Sequence, residues 1–430
     1  MSKSMHRGLV LGSLLLAGCG QTAVGPNPST VSTGASTASK DSAVADYVIG
    51  EPVHFQNLTI FPVRSVVAKS DDRFLTLDEG LKAGTVEIRE VGDMAANVPN
   101  SASVEQSQAR PTEPVRGPLS PSADDPFGAS GAGNDVNTLI VVNHSDKPLY
   151  LMPGEVIIGG SQDRTIGNEL VIAPHSEPTR VPVYCVEHGR WGDKGAEETV
   201  SQLQSAGGRA VAASVAVNGE VSLERLAQEA DQGKFVASVG QLGKSGRVAV
   251  QEAKDQSAVW EKVAETNTKS GVQPDSGSFT ANYTASLTIR RLEPYIEHLQ
   301  EPVAGLDRTV GVLVAINGKI ESMDVFESTP LFQKLWPKLL KSYALDAANA
   351  DEPAEPKECT LVAARTFFAE ALQASVASSN KEHGVALTKR DSQHVISFTS
   401  HVEADAAAAP AAMGGMGGMG GGVHFSGFAK

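Results

Sequence analysis

Residues 309–326 read Thr309-Val310-Gly311-Val312-Leu313-Val314-Ala315-Ile316, then Asn317-Gly318, then Lys319-Ile320-Glu321-Ser322-Met323-Asp324-Val325-Phe326. Asn-Gly suits a type I′ turn, because both central residues need positive φ and the twist of that turn matches the flanking strands. The segment predicts a β-hairpin. Thr329-Pro330 follows, with Thr329 as helix cap and Pro330 in the first helical position, where its missing N–H costs nothing. Leu331, Leu335, Leu339 and Tyr343 then recur every four residues, with Trp336 and Leu340 beside them. That stripe predicts a helix packed on a sheet, kinked or split in two at Pro337. Leu361, Ala364, Phe368, Leu372 and Val376 mark another amphipathic helix. Gly384 to Arg390 and His394 to His401 read as a strand pair, and Val423 to Phe428 as a last strand.

Working outward, the chain reads as α+β. Its N-terminal half, 47–191, is sheet-rich. Val53 to Val63 is extended, and further strands are expected at Thr85 to Val91, Asp135 to Asn143, Leu149 to Met152, Gly154 to Ile158, Glu169 to Ala173 and Arg180 to Val186. Thr76-Leu77-Asp78-Glu79 is a capping box, and Leu77 with Leu81 before Gly84 predicts a helix of about seven residues. A Pro-rich insertion at 94–134 interrupts this half and reads as exposed and mobile. The middle, 192–281, reads as helices and loops, with turns at Gly207-Gly208 and Asn218-Gly219 and helical patches at Leu223 to Ala230 and Ser257 to Thr266. The hairpin-helix-strand C-terminal half, 282–430, carries an Ala-rich and Gly/Met-rich loop at 404–422.

The N-terminus reads as an address. Lys3 and Arg7 precede the apolar run Leu9 to Ala17, which is about half of what a helix needs to cross a bilayer. Leu16-Ala17-Gly18-Cys19 resembles a lipobox. Residues 1–18 are then a signal peptide, Cys19 carries diacylglycerol and a further acyl chain such as palmitate, and 19–46 is a Ser/Thr/Gly-rich tether. The expected location is the extracytoplasmic cell envelope, with the membrane as partner through the anchor. Gly20, in place of Asp, favours the outer membrane if the cell has two. An ordinary secretory signal with a chance cysteine is the alternative.

Composition agrees with a folded body carrying loose stretches. Of 430 residues, 41% are hydrophobic and 20% charged, and Gly 42 with Pro 23 is concentrated in the linkers. The formal charge of −14 becomes −16 when Lys3 and Arg7 leave with the leader. A chain this acidic repels phosphate backbones, which excludes generic nucleic-acid binding. An oxidising compartment permits a Cys185–Cys359 bridge, although one possible pair is not a disulfide framework.

The densest cluster of reactive side chains is Gln162, Asp163 and Arg164, with Cys185, Glu187, His188, Arg190 and Trp191 further on. Gln162 and the Arg164 or Arg190 fork suit a carboxylate, amide or phosphate. Cys185 suits a nucleophile if a cation lowers its pKa, with Glu187 or His188 as base. Against both stands a structural reading. Val181, Val183 and Cys185 alternate, which turns Cys185 toward the core, and the arginines then pair with Asp163 and Glu187 to fix a loop under Trp191. Met413, Met416 and Met419, near His394, His401 and His424, would suit Cu(I); an incidental loop is the alternative. Cys185-x-x-His188 lacks a second half for zinc. No nucleophile elbow, phosphate loop or His-Glu-x-x-His is present, and no cofactor is expected.

Gln162-Asp163-Arg164, Pro182-Val183-x-Cys185-Val186-Glu187-x-Gly189-Arg190-Trp191, Gln256-x-x-Val259-Trp260, Ala315-Ile316-Asn317-Gly318 and Leu335-Trp336-Pro337-Lys338-Leu339-Leu340-Lys341-Ser342-Tyr343-Ala344-Leu345-Asp346-Ala347 together resemble the ARG and rhodanese-phosphatase-superfamily-associated protein domain, where ARG denotes ADP-ribosylglycohydrolase. The resemblance runs from about Tyr47 to Phe428. It implies genomic association with ADP-ribose and phosphate-ester chemistry and no particular reaction. The lipobox, the Pro-rich insertion and the Gly/Met-rich loop depart from the family pattern.

The expected function is a lipid-anchored binding or scaffolding module for a small polar ligand or an envelope protein, with Gln162, Asp163, Arg164, Glu187, Arg190 and Trp191 as candidate contacts. A hydrolytic or thiol-based enzyme using Cys185 with Glu187 or His188 is one alternative, and a purely structural envelope protein is another.

Overall fold

The strand at Thr309–Ile316 is buried along its whole length and lies between its hairpin partner and a strand from residues 58–65, far away in the chain. The computed structural model describes residues 46–91, 136–190, 201, 233–351, 357–382, 385–402 and 422–430. The leader with Cys19, the tether, the insertion at 94–134, Trp191, the segment from Gly207 through Ala230 and the loop with Met413, Met416 and Met419 lie outside these residues.

Strands β1 (Tyr47–Ile49), β2 (Val53–Phe55) and β3 (Leu58–Ser65) open the described chain. Next come β4 (Leu75–Thr76), helix α1 (Leu77–Ala83), β5 (Val86–Glu90), β6 (Thr138–Asn143), β7 (Leu149–Leu151), β8 (Glu155–Gly159), β9 (Arg164–Ile166), β10 (Leu170–Ile172) and β11 (Thr179–Cys185). α1 has the expected capping box between Thr76 and Glu79 and ends at Gly84 in the left-handed region. The expected strands of this half are present to within a few residues. β9 adds one that alternation did not reveal, because its three residues fall in the polar Gln162–Arg164 neighbourhood.

The middle holds β12 (Phe235–Gln241), α2 (Lys244–Val248) running into a π turn (Ala249–Ala253), α3 (Gln256–Ser270) and α4 (Ala281–Thr284). β12 corrects the expectation of helices and loops alone. It pairs with β8 through two register shifts, and such irregularity blurs the two-residue period that marks a strand.

α5 (Ser286–Ala304) leads to β13 (Thr309–Ile316), β14 (Lys319–Phe326), α6 (Thr329–Ala348) and α7 (Leu361–Gln373), then β15 (Ser375–Glu382), β16 (Val385–Asp391), β17 (Val395–Val402) and β18 (Gly422–Ala429). The cap of α6 is Ser328, one residue before the expected Thr329, with its hydroxyl accepting from the Leu331 N–H at 3.3 Å. α6 does not split at Pro337. Trp336 and Leu340 on either side are fully buried, and burial at about 2 kcal/mol per large side chain outweighs the roughly 3 kcal/mol cost of an interior proline. Val376 is not helical as expected. α7 ends at Gln373, and Val376 lies in edge strand β15, 60% exposed.

β3 pairs with β13, so strands from both halves share one nine-stranded sheet of order β1-β3-β13-β14-β18-β17-β16-β15, with β2 on β3. Along β13, Val310, Leu313 and Ala315 face a core under α7, whereas Val312, Val314 and Ile316 face a larger core with α5 and α6. α6 packs on α5 and β13 and also on β12. β12 belongs to a six-stranded sheet of order β12-β8-β9-β11-β6-β5, and a three-stranded sheet of order β10-β7-β4 contributes to a third core with Leu149, Leu151, Ile157, Ile166 and Val183. Helix α6 is thus packed between two sheets, and twelve of its twenty residues are buried.

Candidate functional site

The cluster singled out in the sequence does assemble, and it faces inward. Gln162 and Asp163 occupy the turn between β8 and β9, and β9 aligns Arg164 with Cys185 of β11. Gln162, Asp163, Arg164, Cys185 and Glu187 are each at most 1% exposed. Arg164 Nη1 donates to the Gln162 carbonyl at 2.8 Å, and Nη2 lies 3.3 Å from Glu90 Oε1 at the end of β5. Arg190 meets Glu187 at 2.7 Å and Asp163 at 3.5 Å, and its Nη1 donates to the Gly160 carbonyl. Asp163 Oδ2 also accepts from Ser278 and Thr280 hydroxyls at 3.1 and 3.2 Å. These bonds tie the β8–β9 turn, the end of β11 and the approach to α4 into one buried unit.

The thiol of Cys185 lies within this unit. Its backbone N–H and C=O are both held by the Gln256 side-chain amide, at 2.8 and 2.9 Å. Burial pushes the Cys185 thiol up, against the opposing effect of Arg164. His188 points elsewhere. It is exposed and packs edge-on against Trp260, centroids 4.5 Å apart. Cys185 and Cys359 are both unbridged.

A second ionic assembly escaped the sequence reading. Arg247 of α2 forks onto Asp324 of β14, Tyr343 of α6 donates to the same carboxylate, and His424 Nε2 of β18 reaches its Oδ1 at 2.9 Å. His424 Nδ1 faces Glu169 at 3.2 Å, and Glu169 accepts from Tyr150 of β7 at 2.6 Å. Burial alone would raise Asp324, but Arg247 overcomes it and holds the carboxyl well below the usual range. Burial lowers His424, and Glu169 and Asp324 outweigh that, pushing it up to about 9. Nearby, Lys338 of α6 bonds Glu155 and lies 2.5 Å from Asp78. The available signal was local: Asp324 is the one charged residue in the run Met323 to Phe326 of β14, and His424, the one titratable residue of β18, stacks on the Phe326 ring at 4.5 Å.

The open feature is a cleft of about 670 Å³ between α3, the start of α2, the β13–β14 turn and the end of α6. Lys244, Lys269, Lys319 and Lys357 share its walls with Glu265, Glu321, Asp346 and Asp351. Asp346 Oδ2 accepts from the Lys244 N–H at 2.8 Å. A Cβ on Gly243 would lie 2.1 Å from Asp346 Oδ1, so glycine at 243 is what lets this carboxylate sit there. Burial pushes the Asp346 carboxyl up to about 6. None of these residues belongs to a recognisable motif apart from Asp346, which ends the long α6 segment. Among the described residues, no group of three or more His, Cys, Asp or Glu is arranged to hold a metal ion.

The described residues form an α+β body in which two buried ionic assemblies and an open, charged cleft stand out. The pattern of the ARG and Rhodanese-Phosphatase-superfamily-associated Protein domain matches residues 46–408, and the chain belongs to that family. No curated protein and no solved structure matches the chain. No helix of the described residues is long and apolar enough to cross a membrane.

Proposed function

We propose that the protein is a lipid-anchored, extracytoplasmic binding module that holds a small polar ligand in the cleft between α3, the β13–β14 turn and the end of α6. The observation that carries the binding role is a contrast in access. The cleft is open and lined with charge, whereas the nucleophile candidate singled out in the sequence, Cys185, is 1% exposed with its thiol pushed up. A catalytic thiol needs the opposite on both counts. The anchor rests on Leu16-Ala17-Gly18-Cys19 behind a short apolar run. Gln162, Asp163, Arg164, Glu187 and Arg190 act in this reading as the frame of the β8–β9 turn, since Arg190 is held by Asp163 and Glu187, and Arg164 by the Gln162 carbonyl and Glu90.

Two measurements test it. Mass spectrometry of protein from its native host should find Cys19 as the acylated first residue; an unmodified Cys19 with the leader attached would remove the anchor. A thermal-shift screen of small polar metabolites should give hits that Lys357→Glu abolishes, because a reversed charge at the rim of the cleft leaves the core untouched. Hits unaffected by that change would remove the cleft from the account.

A further inference from the structure

The inference concerns the class of ligand and rests on the cleft being the binding site. Charges in the cleft fall into two sets. Lys244 pairs with Glu321 at 2.5 Å and Lys269 with Glu265 at 2.8 Å. Among the described residues Lys319, Lys357, Asp346 and Asp351 make no ion pair. Lys319 and Lys357 both line the cleft at the β13–β14 turn. The Lys357 backbone packs so closely on the β13–β14 turn that a Cβ on Gly318 would lie 2.5 Å from its carbonyl oxygen. Asp351 is tied to the same turn, its carbonyl accepting from Asn317 Nδ2 at 2.9 Å. Asp346 accepts one bond, from Lys244 N–H, and its Oδ1 takes no hydrogen bond among the described residues.

We propose that the cleft binds a zwitterion of short-peptide size, its ammonium against Asp346 and its carboxylate against Lys319 and Lys357. An anion alone would meet only the lysine pair, and the field of a chain with formal charge −14 opposes its approach. A cation alone would leave that pair uncompensated. A molecule carrying both charges answers both sets, and a volume of about 670 Å³ exceeds the need of a single small ion. The raised carboxyl of Asp346 fits the same picture. Burial disfavours its ionised form until a cation arrives, so ammonium binding near pH 6 releases a proton.

Calorimetry on the full-length protein with triglycine, N-acetyl-triglycine, triglycinamide and inorganic phosphate tests this. Triglycine should bind, and blocking either terminus should weaken binding by about tenfold or more. Asp346→Asn should erase the discrimination against the acetylated peptide. The double change Lys319→Ala and Lys357→Ala, at two exposed positions, should erase the discrimination against the amide. If phosphate or the acetylated peptide binds as well as triglycine, and the lysine changes abolish it, the zwitterion is wrong and the cleft remains a binding site for anions. If no probe binds up to about 10 mM, the zwitterion proposal fails, and the metabolite screen alone then decides whether the cleft binds anything.

Discussion

The guanidinium of Arg247 meets the carboxylate of Asp324 in a two-point fork, Nη1 on Oδ2 at 2.8 Å and Nη2 on Oδ1 at 2.5 Å, with neither side chain more than 1% exposed. One residue comes from a short helix in the middle of the chain and the other from a strand 77 residues later. His424, Tyr343, Glu169 and Tyr150 extend the fork from the nine-stranded sheet to the three-stranded one. A charge removed from water at this depth is tolerable only while its partner stays.

Breaking the fork should therefore be severe. Asp324→Asn leaves the Arg247 charge uncompensated in the core and should cost about 3–5 kcal/mol, read as a drop in denaturant midpoint. Arg247→Lys should not rescue the fork, because an ammonium cannot make the two parallel bonds. A loss below about 1 kcal/mol for either would show that water reaches the site.

Stability should also fall on the alkaline side. His424 titrates at about 9 in the folded protein against 6.5 for the free side chain. The folded state holds this proton more tightly, so the contribution is complete below about 6.5 and is lost as pH rises through about 9. Its size is on the order of 3 kcal/mol. His424→Phe should be less stable at neutral pH and should flatten the decline between pH 7 and 9. An equally steep decline in the variant would assign the effect to another group.

Asp346 shifts in the same direction at a lower pH. Its folded value of about 6 lies above the ordinary 3.8, so ionisation costs stability: the cost grows as pH rises from about 4 and is complete above about 6. Asp346→Asn keeps an acceptor for the Lys244 N–H. It should raise the melting temperature at pH 8, by about half as much at pH 5, and give little gain below about pH 4. A lower melting temperature at pH 8 would contradict the assigned direction. The same change should impair ligand binding, as expected where a strained group serves function.

Gly243→Ala should be destabilising by about 1–3 kcal/mol, since the new methyl displaces the Asp346 carboxylate from the start of α2. Pairing it with Asp346→Gly should recover part of that loss in a double-mutant cycle.

Cys185 should resist iodoacetamide in the native protein and react once denaturant unfolds it, because the thiol is buried and its pKa raised. Rapid labelling of the native thiol would revive the enzyme alternative.

The loudest sequence signals proved to be the deepest residues. Gln162, Asp163, Arg164, Cys185 and Glu187 stand out because polar groups in an apolar context are conspicuous, and the same polarity demands mutual pairing once they are buried. The expectation that Arg164 pairs within its own loop was only partly right. Arg190 takes Asp163 and Glu187, whereas Arg164 turns to Glu90, 74 residues away. The cleft gave the opposite impression. Lys319, Lys357 and Asp351 look like ordinary surface residues, and only their convergence around the Asn317-Gly318 turn distinguishes them.

Local chemistry was enough for the α+β class, the β13–β14 hairpin, the Thr76–Glu79 capping box and most strands, because turn dihedrals, caps and side-chain periodicity act over a few residues. Residue types alone also define the lipobox-like Leu16-Ala17-Gly18-Cys19. Tertiary structure decided that β3 of the first half joins β13 of the second, that α6 continues through Pro337, that β12 is a strand, and which charges are buried and which line the cleft. Those outcomes depend on contacts between segments far apart in sequence, where burial of apolar surface and the need to pair every enclosed charge outweigh local preference.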